Sequence, residues 1–260
     1  MSDKSEKPSE KLAEGTLISH LLELRNRLVR AVTVVLILVL PAAYFRNFIF
    51  DTLAAPLIKQ LPKGASLITT GVMTPFTTPF KLSIYVALFL AMPYVLYQIW
   101  AFVAPGLYRK EKRFAVPLLV SSIILFYTGM AFAYQFVFPV LFKFFAGSTP
   151  TGVQMMPDIT SYMDWAMTMF LSFGIAFEVP IAVVLLALTG IVSVEKLAKS
   201  RGYVVIGIFV IAAILTPPDP ISQTLMAVPM WLLYELGLVM ARVMVTKPEE
   251  EKAADSEPGA

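Results

Sequence analysis

The stretch FGIAFEVPIAVVLL, Phe173 to Leu186, carries a single charged residue, Glu178, inside an otherwise apolar run, with Pro180 two positions further on. A carboxylate in such a place is a contradiction in a soluble core and a signal in a membrane, so the composition around it decides the reading. Of 260 residues, 57% are hydrophobic and 15% charged. One soluble core could not hide that much apolar surface. The chain therefore reads as an all-α, polytopic integral membrane protein.

A helix needs about 20 apolar residues to cross a hydrocarbon core of about 30 Å. Six runs qualify or nearly so: Leu28–Phe48, Phe80–Val103, Phe114–Phe138, Ser161–Leu188, Tyr203–Leu215 and Ile221–Val239. The last two are short, and the fifth, at about 1.5 Å per residue, reaches only roughly 20 Å. It must thin the bilayer or lie where protein replaces lipid. Pro41, Pro93, Pro117 and Pro180 lie in or just inside these spans. Each lacks the N–H that a helix needs, so kinks are expected, with the freed carbonyls satisfied by neighbours. A possible short helix at Asp51–Gln60 would sit in the first outer loop, where Pro56, Pro62, Pro75 and Pro79 make an ordered cap.

Cytoplasmic loops retain an excess of Lys and Arg, which orients the chain. With the N-terminus inside, sixteen of the 21 basic residues fall on the cytoplasmic side: Lys4, Lys7, Lys11, Arg25, Arg27, Arg30, Arg109, Lys110, Lys112, Arg113, Lys196, Lys199, Arg201, Arg242, Lys247 and Lys252. Arg46, Lys59, Lys63, Lys81 and Lys143 fall outside. Both termini are thus expected in the cytoplasm. The division expected is a polar extension over 1–15, a six-helix membrane domain over 16–242 and a disordered tail over 243–260. No cleavable signal peptide is expected, because the first apolar run follows a long polar segment. No internal repeat of the transporter kind is visible.

The chemistry available is narrow. There is no cysteine and one histidine, His20, so thiolate catalysis and a metal centre are not expected, and no cofactor is implied. Phosphate-loop, HExxH and GxSxG patterns are missing, and an enzyme is the weaker reading. In GTLISHLLELRNRL, Leu17, Leu21, Leu24 and Leu28 recur at helical spacing behind Thr16, a possible cap, so an amphipathic helix should run into the first span. Glu23 and Arg27 are four apart there, either an ordinary ion pair of a few tenths of a kcal/mol or half of a site for a cationic ligand. In APGLYRKEKRF, the basic residues need only be a topology signal. Glu111 is the one acid among them, on the same face of the membrane as Glu23, and two carboxylates there could take guanidinium groups bidentately.

Taken together, SHLLELRNRL, APLIKQLP, YQIWAFVAPGLYRKEKR, LLVSSIILFYTGMAFAYQFVFP, FGIAFEVPIAVVLL and LTPPDPISQTL closely resemble the TatC family, from about Leu17 to Arg242. The resemblance implies a receptor for signal peptides with two consecutive arginines, in the bacterial inner membrane, which exports folded proteins using the proton-motive force. It implies that Glu23 and Glu111 bind the arginine pair. Arg25, Arg27, Leu28, Phe102, Arg109 and Arg113 match positions linked to binding or site integrity. TatA and TatB are the implied partners, with self-association in the translocase and no nucleic acid. TatB would dock along helices five and six at Thr216 and Gln223, while Pro56, Pro93 and Asp219 match positions tied to assembly or function.

A charge at the centre of a spanning helix costs roughly 2.5–3.5 kcal/mol on insertion scales, so Glu178 needs a reason. It is either a carboxyl kept protonated by burial, donating to a carbonyl that a proline has freed, or a group facing a hydrated groove or a partner helix. A proton-coupled small-solute transporter would also want such an acid, but it would usually carry repeats and several polar residues at the midplane.

Overall fold

The computed structural model describes residues 8–60, 67–103, 115–148, 150, 156–215 and 220–254. Among them the chain is helical, with one isolated β-bridge and no strand. The helices are α1 (Pro8–Tyr44), α2 (Arg46–Gln60), α3 (Thr74–Val103), α4 (Ala115–Phe132), α5 (Phe138–Gly147), α6 (Ile159–Ala176), α7 (Val179–Leu188), α8 (Val194–Lys199), α9 (Arg201–Leu215) and α10 (Pro220–Ala254). A π-helical turn, Ala133–Val137, joins α4 to α5. Five stretches are long and apolar enough to span a bilayer: Ser19–Tyr44, Thr74–Val103, Ala115–Gly147, Ile159–Leu188 and Gln223–Met244. The sixth expected span is the shorter apolar helix Arg201–Ile214.

Several boundaries differ from the sequence expectations. Thr16 lies inside α1, which already begins at Pro8; the segment KLAEG consists largely of good helix formers and extends the helix upstream. The third span continues through the π turn to Gly147. The last helix is not short. It runs 35 residues to Ala254, past the start of the expected disordered tail, since the Glu, Lys and Ala of that region favour helix as well.

Packing follows from aromatic and small residues. α1 lies along α3, α4 along α6, and α7 along α10. One core gathers Phe126, Phe138, Met167 and Phe173, all fully buried; a second gathers Ile181, Val184, Tyr234 and Leu238. The backbones approach closely where a glycine permits it. A Cβ on Gly129 of α4 would stand 2.4 Å from the Phe173 carbonyl oxygen, and one on Gly237 of α10 would stand 2.8 Å from the Pro180 Cα. Lipid gives two helices no hydrophobic drive to associate, so such close contact is a main source of cohesion.

The prolines act as their chemistry requires. Pro93 cannot donate to the carbonyl of Phe89, one turn earlier in α3, and the Tyr127 hydroxyl from α4 donates to that oxygen instead at 2.8 Å. Pro180 divides the Ile159–Leu188 span into α6 and α7, with Phe177 and Glu178 at the break. At the end of the bundle remote from Glu23, Asp158 caps α6 through the N–H groups of Thr160 and Ser161 and also accepts from Thr70 N and Oγ1 at 3.2 and 2.9 Å. Ile68 pairs with the same backbone: Ile159 N donates to Ile68 O at 2.9 Å. The Ser161 N–H, then the Thr70 hydroxyl, hold the Asp158 carboxyl below the ordinary carboxylate range.

Candidate functional site

The first site is built on the upstream part of α1. Ser19, Leu22, Glu23, Asn26, Arg27 and Arg30 line a shallow groove of about 410 Å³. Helical spacing brings Glu23 and Arg27 together: Arg27 Nε and Nη2 both donate to Glu23 Oε1, at 3.0 and 2.5 Å. The ordinary ion pair expected from the sequence is therefore present. Arg27 also reaches α3, where its Nη1 donates to Oε1 of the buried Gln98 at 3.4 Å. One helical turn beyond Gln98, Phe102 stacks on the His20 ring, with centroids 4.2 Å apart and planes 23° from parallel. Two rungs thus tie the antiparallel α1 and α3 at this end. Arg25 and Leu28 are exposed and belong to neither rung. Glu111, Arg109 and Arg113 lie outside the described residues.

The second site surrounds Glu178. Its Oε2 accepts from the Ser122 hydroxyl of α4 at 2.5 Å, while its Oε1 is buried and has no hydrogen-bond partner among the described residues. The partner is thus a hydroxyl on a neighbouring helix, and the carbonyl freed by a proline that the sequence suggested plays no part. Sequence reasoning missed Ser122, because nothing in the local pattern singles out one serine 56 positions upstream. It also missed an acid inside the last span. Glu235 receives Arg201 as a fork, Nε to Oε1 at 2.6 Å and Nη2 to Oε2 at 2.8 Å, fastening the start of α9 to α10. The signal was available in LLYELGL, a lone acid in an apolar run.

Gln223, expected at a partner surface, is engaged within the chain: its Nε2 donates to the Phe209 carbonyl of α9 at 3.0 Å. Thr216 and Asp219 lie outside the described residues, and Pro56 falls within α2. No group of three or more His, Asp or Glu able to hold a metal ion occurs among the described residues.

Apolar spans, one of them broken beside Pro180, held by glycine contacts and by polar links between helices, define a polytopic helical membrane protein. A model of the family described as "Sec-independent protein translocase protein (TatC)" matches residues 19–229. The TatC protein of Azotobacter chroococcum is 54% identical over 243 residues, covering 93% of this chain and 94% of its own. That of Escherichia coli K12 is 52% identical over 231 residues, 89% and 90% of the two chains. A solved structure described as "Crystal Structure of Twin Arginine Translocase Receptor- TatC" superposes with a TM-score of 0.77 at 39% identity, over 86% of this chain and 98% of that one. The chain belongs to the TatC family of Sec-independent protein translocase proteins, a family of transport proteins.

Proposed function

We propose that this chain is the receptor subunit of a twin-arginine translocase. It binds signal peptides bearing two arginines at its cytoplasmic face and, with TatA and TatB, passes folded proteins across the inner membrane at the expense of the proton-motive force. The observation that carries the reading is the Glu23 groove. Both Arg27 bonds converge on one carboxylate oxygen, and a carboxylate has lone pairs enough to take a second guanidinium on the other. Glu111, on the same face by the basic-residue skew of the sequence, completes the pair of acids. The skew of sixteen basic residues against five puts that face, and both termini, in the cytoplasm with Arg201–Leu215 as a sixth span. Arg25, Arg109 and Arg113 shape the field around the acids, and Leu28 and Phe102 give the peptide apolar contact. TatB docks along α9 and α10, beside Thr216 and Gln223, with Pro56, Pro93 and Asp219 serving assembly.

The test is photo-crosslinking of a twin-arginine peptide to membranes carrying the protein. Glu23→Ala and Glu111→Ala should each weaken the crosslink while the protein inserts normally. An undiminished crosslink in the double variant contradicts the assignment.

A further inference from the structure

The sole histidine of the chain, His20, lies in α1 three residues before Glu23. Residues three apart on a helix are neighbours on its surface, about 5–6 Å between Cβ atoms. The two residues are therefore neighbours on the surface of α1, and the imidazole is not loose: it lies nearly parallel on the Phe102 ring at 4.2 Å. Phe102 is half-buried at the end of α3 and His20 is exposed, so the stack is anchored on one side and open to solvent on the other. The Arg27–Gln98 bond one rung deeper fixes the spacing of the two helices. A flat aromatic pair next to a carboxylate suits a guanidinium better than an ammonium. The plane of the guanidinium lies over a ring while its N–H fork meets the carboxylate, whereas a lysine head offers a compact point charge and cannot stack.

We propose that the His20–Phe102 stack is the aromatic platform of the Glu23 site, with His20 a binding residue that selects arginine over lysine in the peptide. This rests on the reading of Glu23 as a peptide carboxylate and adds to it the residue that makes the site specific for a planar cation. The stacking contact is of the exposed kind, so its loss should weaken arginine-peptide binding about two- to fivefold.

The experiment measures the affinity of purified full-length protein in nanodiscs for a fluorescent twin-arginine peptide and for its twin-lysine counterpart. The variants are His20→Ala, His20→Phe and Glu23→Ala. His20→Ala should weaken the arginine peptide while leaving the lysine peptide nearly unchanged, and His20→Phe, which keeps a ring on Phe102, should restore the preference. Equal weakening of both peptides by His20→Ala, or no restoration by His20→Phe, overturns the proposal. If Glu23→Ala weakens binding and His20→Ala does not, the platform alone is wrong. If Glu23→Ala has no effect either, the carboxylate reading beneath it falls as well.

Discussion

Tyr127→Phe removes one oxygen and leaves the ring, so it isolates the bond to the carbonyl that Pro93 leaves without a helical donor in α3. In the native protein the Phe89 carbonyl has lost its helical donor to Pro93 and takes the Tyr127 hydroxyl at 2.8 Å. Hydrogen bonds between helices in membranes average about 0.6 kcal/mol and reach about 1.7, while a buried acceptor left without a donor costs about 1–3 kcal/mol. The Tyr127 hydroxyl stands in for the helical donor, so the loss should lie in the upper part of the first range, about 1–1.7 kcal/mol. Pro93→Ala changes the sum. It supplies an N–H at position 93, the helix can close its own bond to Phe89, and Tyr127→Phe should then cost less than about 0.5 kcal/mol. The assay is equilibrium unfolding in mixed micelles of the wild type, the two single variants and the double variant. Equal destabilisation by Tyr127→Phe in both backgrounds would refute the reasoning, because the hydroxyl would then be serving something other than the freed carbonyl.

Two further expectations concern the acids. Glu178→Gln keeps a group able to meet Ser122 and water and should retain much of the export of a folded reporter, whereas Glu178→Leu should insert readily and export poorly; full export by the Leu variant contradicts a functional role, and equal failure of both variants points to a proton carrier. Asp158 has its pKa lowered in the fold, so its contribution is fully present above the unfolded value of about 3.9 and is lost as pH falls through the lowered value in the folded protein. Protection factors of the Thr70 and Ser161 amides, taken against the intrinsic exchange rate at each pH, should accordingly hold at neutral pH and fall only in acid, and Asp158→Ala should abolish that dependence.

The spans were legible because hydropathy and proline are properties of the local chain. Apolar runs located the membrane helices, and Pro180 marked a break where the structure has one, whereas α3 runs on through Pro93. What hydropathy cannot register is phase. The π turn at Ala133–Val137 adds a residue to a helix whose composition is unchanged, so nothing in the apolar pattern marks it. Helix propensity without an apolar face was similarly invisible, which is why α1 starts eight residues before Thr16 and α10 outruns its span. At the sites, the oddness of Glu178 was plain in the sequence, but its partner Ser122 lies on another helix. Glu23 with Arg27 followed from spacing alone. The Arg27–Gln98 and His20–Phe102 rungs, 71 and 82 positions apart in sequence, arise only when α1 folds back along α3.

The central claim is that carboxylates on one face of this protein read the guanidinium groups of a peptide. Its most direct test is the ratio of affinities for a twin-arginine peptide and its twin-lysine counterpart, measured in nanodiscs for the wild type and for the Glu23→Ala, Glu111→Ala double variant. Hydrogen bonds to a charged group are worth about 1.5–3 kcal/mol, so the wild type should prefer arginine by about tenfold or more. In the double variant the ratio should fall close to one. A ratio that survives the loss of both carboxylates would contradict the account.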